Sequence, residues 1–524
     1  MTVPTFDLLA ESHRARLATI PGGVALDDRT RADLDLDKVF AKIDRTTSTL
    51  GRQALYHRLR TDHSGDELAD FESLVNVMST DPQSRERARK ALSGLQDAHG
   101  YNLWWLCEPG AIEIQTWQVV FPILSALALV SVAVVPISFT PLIGMVILSL
   151  LVRSATHRGI MEVTRSFRQL APVIAAGQAL TFLNGANIPA GIRSLGEDVR
   201  PLRRLKALSR WANENPLLLS HSANPLAIML NDFVSVVYEY VSTVLLLDAT
   251  GVFFAARDVE TYRGQLRRVL EATGEVDAAI AVAAYREGQP LWSRPQFTDS
   301  GVVSATDLCH PLLEDPTPNS VSFHLGHGVL VTGSNMSGKS TFLRTLGVNA
   351  VLAQTINTCL AREYVAPRFH VRSCIGRSDD LSAGKSYYVV EVEALVALIQ
   401  SSQSNEPHLI LLDELFHGTN AVERIAAGDA VLDALIREKG APKPHLVIAA
   451  THDLELIPLL ASSYAAYHFG DSIGDEGPVF DHRLKAGTSG TRTALALLRQ
   501  KGAPADLLAR AETTAERLDA SRSI

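Results

Sequence analysis

Gly333, Gly338, Lys339 and Ser340 lie in the run GSNMSGKST (333–341) at the spacing GxxxxGK[ST], an arrangement of residue types that suits a polyphosphate. Glycines let backbone N–H groups turn inward around phosphate oxygens, and a helix starting at the end of the loop adds its positive pole. The expected phosphate contacts are therefore Gly333, Ser334, Asn335, Met336, Ser337, Gly338, Lys339, Ser340 and Thr341. Lys339 is expected to reach the β- and γ-phosphates, and the Ser340 hydroxyl to ligate Mg²⁺. A second run, HLILLDELFHGTN (408–420), places Asp413 and Glu414 side by side after an apolar stretch. Adjacent carboxylates at the carboxyl end of a strand suit hydrolysis: Asp413 for the Mg²⁺ shell, Glu414 to orient or deprotonate water. A third, HLVIAATHDLEL (445–456), ends another apolar stretch at Thr451-His452-Asp453, where His452 is placed to sense a γ-phosphate or position the water. A fourth, IGRSDDLSAGKSYYVVEVEAL (375–395), carries Asp379-Asp380, a glycine turn and Ser386. Its hydroxyls and N–H groups suit phosphate too, with less specific spacing.

These groups need a scaffold that delivers strand ends to one edge. From about Ser293 short apolar strands alternate with helical stretches, which predicts an α/β domain with a mostly parallel, doubly wound sheet over 296–524. Everything before it reads as helix. In LDLDKVFAKIDRTTSTLGRQALYHRLR (34–60), Val39, Phe40 and Ile43 recur at helical spacing, and Thr46 to Ser48 mark a break and a new helix start. Residues 1–110 form the helical N-terminal region, and 156–295 a second helical region with arginines at 158, 165, 168, 193, 200, 203, 204 and 210. That stripe suits a solvated helix face or contacts to phosphates. The segment LAIMLNDFVSVVYEYVSTVLLL (226–247) reads as a core helix. Between the two regions, Ile114 to Val152 holds no Asp, Glu, Lys, Arg or His. A bilayer crossing takes about 20 apolar residues. Residues 111–155 are therefore expected to form a transmembrane helical hairpin turning at Pro136–Pro141, with Trp117 and Phe121 at an interface and Arg153 and Arg158 on the inner side. That makes the membrane a partner and puts the catalytic domain at its cytoplasmic face.

Of the 524 residues 46% are hydrophobic and 20% charged, which excludes a disordered chain and allows several cores. The net charge of -8 excludes an all-over basic coat but not a local basic groove. Cys107, Cys309, Cys359 and Cys374 form no CxxC pair and have no histidine at zinc-finger spacing, so they read as thiols in a reducing compartment. The start, MTVPTFDLLAESHRARLATI, lacks the pattern of a signal peptide.

Taken together, the runs resemble the MutS family of ATPases, best known from DNA mismatch repair. The resemblance rests on Asn335 to Thr341, on HPLL at 310–313, and on Ile-Gly-x-x-Asp-Asp-Leu at 375–381. Asp-Glu-x-x-x-Gly-Thr at 413–419 and Ala-Thr-His-Asp at 450–453 complete the order. It covers about 300–500 and extends faintly to 43–60. It implies an ABC-type P-loop ATPase that splits ATP with Mg²⁺ and works as a homodimer, each site completed by the partner copy. By carry-over, Asn335 contacts the γ-phosphate, Ser386 reaches across the dimer, and helices over about 488–520 interlock the two copies.

Some residues depart from the family pattern. Ser334 stands where proline is usual, and Phe416-His417 replace Gly-Arg. Some 30 residues precede the helical region, too few for the family's mismatch-recognition and connector domains, and the apolar run at 114–152 is foreign to the mismatch-repair members. The expected chain is thus a shortened, membrane-attached branch. Its leading function is ATP hydrolysis coupled to dimer closure on mismatched or branched DNA, with an unknown downstream protein. The alternatives are a membrane-bound ABC-type ATPase that does not act on DNA, and a non-hydrolytic scaffold.

Overall fold

The computed structural model describes residues 6–18, 25–96, 98–108, 110, 116–167, 169–213, 234, 240–334, 336–375, 387–401, 407–437, 444–474, 477–488 and 493–522. The chain divides into two compact units: 1–23, 44–57 and 65–287 in one, 24–43, 58–64 and 288–524 in the other. A C-terminal mixed α/β region thus follows a large all-α region.

At the core of the helical unit is the 25-residue Arg263–Glu287 helix, whose Val269, Leu270, Val276, Ile280 and Val282 are fully buried. It carries a buried carboxylate, Asp277, which holds the turn ahead of a helix elsewhere in the chain. Asp277 accepts from the Thr47 N–H, the Ser48 N–H at 2.7 Å and the Ser48 hydroxyl at 2.6 Å, directly ahead of the Thr49–Arg58 helix. The Ser48 hydroxyl in turn accepts the Gly51 N–H at 2.9 Å as a local cap, so the distant carboxylate holds the capping residue and the turn ahead of it. Burial pushes the Asp277 pKa up, and the bonds from Ser48 and Thr47 pull against it. Gly51 makes the approach possible, since a Cβ there would lie 2.2 Å from the Asp277 Oδ2. The break at Thr46–Ser48 is where the sequence places it.

The apolar run behaves differently from expectation. Among the described residues no helix is long and apolar enough to cross a membrane. The run opens with a short 3₁₀ turn (Thr116–Val119) and a 15-residue helix, Val120–Val134. At 1.5 Å per residue that helix spans roughly 22 Å, short of a hydrocarbon core of about 30 Å. The next helix, Thr140–Phe167, runs past Val152 into sequence that holds Arg153, Arg158, Glu162 and Arg165. Phe121 lies at no interface but is buried with Leu124 against Leu246, Ala249 and Phe253 of the same unit. The Ser125 hydroxyl bonds the Leu245 carbonyl at 2.6 Å, and Ser149 bonds the Val244 carbonyl at 2.8 Å. One side of the hairpin is thus packed on protein through apolar and polar contacts. The transmembrane hairpin at 111–155, the membrane as partner, and the location at a membrane face are overturned. The core helix expected over 226–247 lies mostly outside the described residues.

The α/β unit is built on a six-stranded sheet in the order β10–β9–β4–β8–β7–β6. Its strands are β4 (Gly328–Thr332), β6 (His370–Cys374), β7 (His408–Asp413), β8 (Leu446–Ala450), β9 (Tyr464–Gly474) and β10 (Gly477–Ala486). All neighbours are parallel except the β9–β10 pair. A second sheet, β1–β5–β2–β3, uses Gln296–Phe297, Glu363–Ala366, Val302–Leu308 and Asn319–His324. The apolar run of β7 is buried on both faces, as a parallel strand between helices requires. Ile410 and Leu412 join Leu395, Leu398, Leu432 and Leu435 from the helices Tyr387–Ser401 and Ala421–Arg437. Leu411 meets the opposite helix, Lys339–Ile356, at Gly347, where a Cβ would lie 2.7 Å from the Leu411 Cδ1.

Residues 24–43 belong to this unit. The Asp28–Asp33 helix covers the edge strand β6, with Ser373 N–H donating to the Thr30 hydroxyl and Ser373 Oγ and Ile375 N–H donating to Asp33 Oδ2 at 2.8 and 2.9 Å. The cover satisfies an edge that would otherwise present open backbone groups. The Arg344 guanidinium, on the Lys339–Ile356 helix, donates to the Asp33 carbonyl at 2.7 Å. The following helix, Leu36–Ile43, buries Leu36, Val39, Phe40 and Ile43, the face predicted by spacing.

Candidate active site

β4, β7 and β8 are neighbours in the sheet, and their carboxyl ends open on the same edge. The ladder continues past the strands: Glu414 N–H bonds the Ala450 carbonyl at 2.9 Å and Thr451 N–H bonds the Val331 carbonyl at 3.0 Å. Sheet pairing therefore fixes the spacing of the three loops that leave this edge.

The loop after β4 needs unusual backbone. Gly333 and Gly338 have φ of +145° and +114°, and Met336, at +69°, is a non-glycine in the left-handed region. Gly338 directly precedes the Lys339–Ile356 helix. Lys339 is 5% exposed, and its ammonium donates to the Gly333 and Ser334 carbonyls at 2.9 and 3.1 Å. Burial pulls its pKa below the ordinary value, with the Asp413 carboxylate acting in the opposite sense. The side-chain oxygens of Ser334 and Ser337 are buried without a hydrogen-bond partner among the described residues.

The loop after β7 turns sharply, with φ of +49° at Glu414 and +55° at Phe416. The Phe416 N–H is held by the buried Glu391 carboxylate at 2.8 Å. One Glu414 oxygen lies 3.1 Å from His452 Nε2, and the other 3.4 Å from His417 Nδ1. His452 Nε2 is also 3.1 Å from the Lys339 ammonium. One ring nitrogen either donates or accepts, so His452 Nε2 gives its hydrogen to Glu414 or its lone pair to Lys339, according to tautomer. Among the residues expected from sequence, Lys339, Glu414 and His452 thus meet, with Asp413 close to Lys339. Ser340 and Thr341 open the helix. Asn335, Asp379, Asp380 and Ser386 lie outside the described residues.

Beside the loop is a cavity of about 310 Å³, lined by His310, Asn319, Met336, Thr341, Phe342 and His482 among others. His482 reaches it from a bulge in β10, where the register shifts between Phe480 and Leu484 and His482 takes a φ of +51°. Its Nδ1 lies 3.0 Å from the Ser337 carbonyl, and Asn319 pins the bulge by accepting from Leu484 N–H and donating to the His482 carbonyl. His310 accepts the Leu312 N–H at Nδ1, while its Nε2 is buried without a partner among the described residues. Burial, aided by Arg344, brings the His310 pKa down to about 4, so the ring is neutral at pH 7. Sequence reasoning missed His482 and Asn319, because a bulge and the strand it faces leave no spacing signal. His417 was visible only as a departure from the family pattern.

The residues fit a nucleoside triphosphate with its metal. Serine hydroxyls buried without partners among the described residues, in a loop bounded by two positive-φ glycines, make a cradle for an anion. Among the described residues no group of three or more His, Cys, Asp or Glu could hold a metal by itself. Ser340, in the first turn of the Lys339–Ile356 helix, and Asp413, at the end of β7, are oxygen donors of the kind that Mg²⁺ would take from a protein.

Comparison with known proteins agrees. Residues 329–519 match the family model for MutS domain V. The chain is 33% identical over 273 residues to the DNA mismatch repair protein MutS of Thermus aquaticus, covering 51% of this chain and 32% of that protein. It is 32% identical to the MutS of Thermus thermophilus, over 52% of this chain and 33% of that one. With the MutS of Streptococcus pyogenes it shares 31% identity, over 51% and 32%. The matched part spans about a third of the length of these relatives. With glycine cradle, lysine, carboxylates and histidine at the ends of adjacent strands, this C-terminal region is a MutS-family ATPase domain related to those of DNA mismatch repair proteins.

Proposed function

We propose that the chain hydrolyses ATP with Mg²⁺ and couples the nucleotide state to closure of a homodimer on DNA, with mismatched or branched duplex as the preferred form. The observation that supports it best is the meeting of Lys339, His452 and Glu414 at 3.1 Å contacts at the ends of β4, β7 and β8. In this reading the loop 333–341 binds the phosphates, with Asn335 at the γ-phosphate, and the cavity beside it takes the base and ribose. Ser340 and Asp413 hold Mg²⁺, which when bound neutralises charge on the phosphates. Glu414 orients or deprotonates the attacking water, and His452 holds that carboxylate and senses the γ-phosphate. Ser386 is offered by the partner copy, and the helices Thr493–Gln500 and Ala505–Arg522 join the two copies.

For DNA, the support is a row of exposed arginines in the helical unit: Arg193, Arg200, Arg203, Arg204 and Arg210. Burial and, second to it, the nearby Arg210 lower the Lys206 pKa, which places Lys206 beside Arg210. The test is ATP turnover and affinity with homoduplex, mismatched and branched DNA of equal length at one salt concentration. Stimulation or tighter binding with mismatched or branched DNA is expected. Turnover indifferent to all three, with no binding, would leave an ATPase that does not act on DNA.

A further inference from the structure

The loops leaving β7 and β8 carry Glu414 and His452, and a second contact ties those loops together. Arg424, in the first turn of the Ala421–Arg437 helix, donates from Nε and from Nη2 to the two oxygens of Asp453, each at 2.7 Å. The side chains are 24% and 14% exposed, so the pair is largely shielded from water. A two-point guanidinium–carboxylate bond fixes orientation as well as distance. A cation in the first turn of a helix opposes the helix dipole, so helix stability gives no reason for Arg424. Both ends are anchored. Arg424 N–H bonds the Asn420 carbonyl, Asn420 Oδ1 caps the Glu423 N–H at 3.0 Å, and the Thr419 hydroxyl bonds Glu423 at 2.7 Å. Asp453 N–H donates to the Thr451 hydroxyl at 3.0 Å, and its carbonyl accepts from Leu456. His452, flanked by Thr451 and Asp453, has a side chain 40% exposed, so its ring depends on the backbone that carries it.

We propose that Arg424 and Asp453 are positioning residues that act through His452, holding its imidazole at Glu414 and Lys339 without touching the nucleotide. The inference rests on the ATPase reading given above. The strut spans the two loops whose separation sets the His452–Glu414 distance, and a displacement of about 1 Å in such a contact costs up to roughly a hundredfold in rate.

The experiment is steady-state phosphate release by the full chain, unmodified and as Arg424→Met, His452→Ala and the double variant, with nucleotide affinity measured by titration. Arg424→Met is expected to lower kcat by roughly ten- to a hundredfold while KM and nucleotide affinity stay within about threefold. In the His452→Ala background it should have no further effect, because the group it positions is gone. Arg424→Lys, which keeps the charge but not the two-point geometry, provides the same comparison if the Met variant folds poorly. The reversed pair, Arg424→Asp with Asp453→Arg, should recover part of the loss. Losses that multiply in the double variant would overturn the positioning role and leave the ATPase reading standing. No turnover by the unmodified chain would overturn that reading, and this inference with it.

Discussion

Glu414 leaves β7 with a left-handed backbone, an uncommon conformation for a non-glycine that points its carboxylate toward His452. If this carboxylate handles the attacking water, Glu414→Gln keeps nucleotide binding and lowers turnover by at least roughly a hundredfold. Lys339→Ala instead weakens nucleotide binding. Phosphate release and nucleotide titration on the two variants check this, and undiminished turnover in Glu414→Gln would remove it as the general base. His310 allows a second test. An unfolded histidine titrates near 6.5, the folded one at about 4. Between those values the unfolded chain binds more protons, so stability falls as pH drops from 6.5 toward 4, by roughly 3 kcal/mol for this group. Thermal unfolding between pH 4.5 and 7.5 should show a shallower acid limb in His310→Gln; equal limbs would exclude His310 as a buried neutral ring. Lys339, Asp413, Glu414 and His452 were legible because each ends or follows a short apolar run. Arg424 and Asp453 stood in or beside the same runs, but 29 residues of chain hid their pairing.

Elements in this chain are completed by residues far away in sequence. The Thr49–Arg58 helix has Thr46–Ser48 ahead of it as a local start signal, with Ser48 as its cap, yet Asp277, some 230 residues on, holds the Thr47 and Ser48 N–H groups of that start. Removing that acceptor leaves buried N–H groups unpaired, so Asp277→Ala should cost about 3 kcal/mol, read as a lower midpoint in urea. A midpoint unchanged within error would show that water replaces the carboxylate there. The Asp28–Asp33 helix follows the same logic on β6. Its own sequence reads as a polar helix, and the bonds to Ser373 and Ile375 show what Thr30 and Asp33 are buried against. The hairpin at 120–167 is the opposite lesson. Composition alone suggested a bilayer, whereas helix length and the contacts of Phe121, Ser125 and Ser149 speak for packing on protein.

For the whole molecule the open variable is what the ATPase domain drives. If the exposed arginines of the helical unit face DNA, Arg203→Glu with Arg210→Glu should weaken binding to all duplexes alike and lower the salt dependence by about two in slope. Binding curves at several salt concentrations test this, and an unchanged slope would place the DNA elsewhere. The sequence by itself determined the chemistry of the site and the order of its parts. Phosphate binding needs glycine at positive φ next to lysine, and hydrolysis needs carboxylates at strand ends, so both demands are written locally as spacing. The tertiary structure decided what depends on neighbours distant in the chain. It set the cavity lined by His482 and Asn319, the cover over β6, the bonds of Asp277 to Thr47 and Ser48, and the Arg424–Asp453 pair. It also decided the fate of the apolar run, because burial against protein and burial in lipid call for the same residue types and differ only in what stands opposite them.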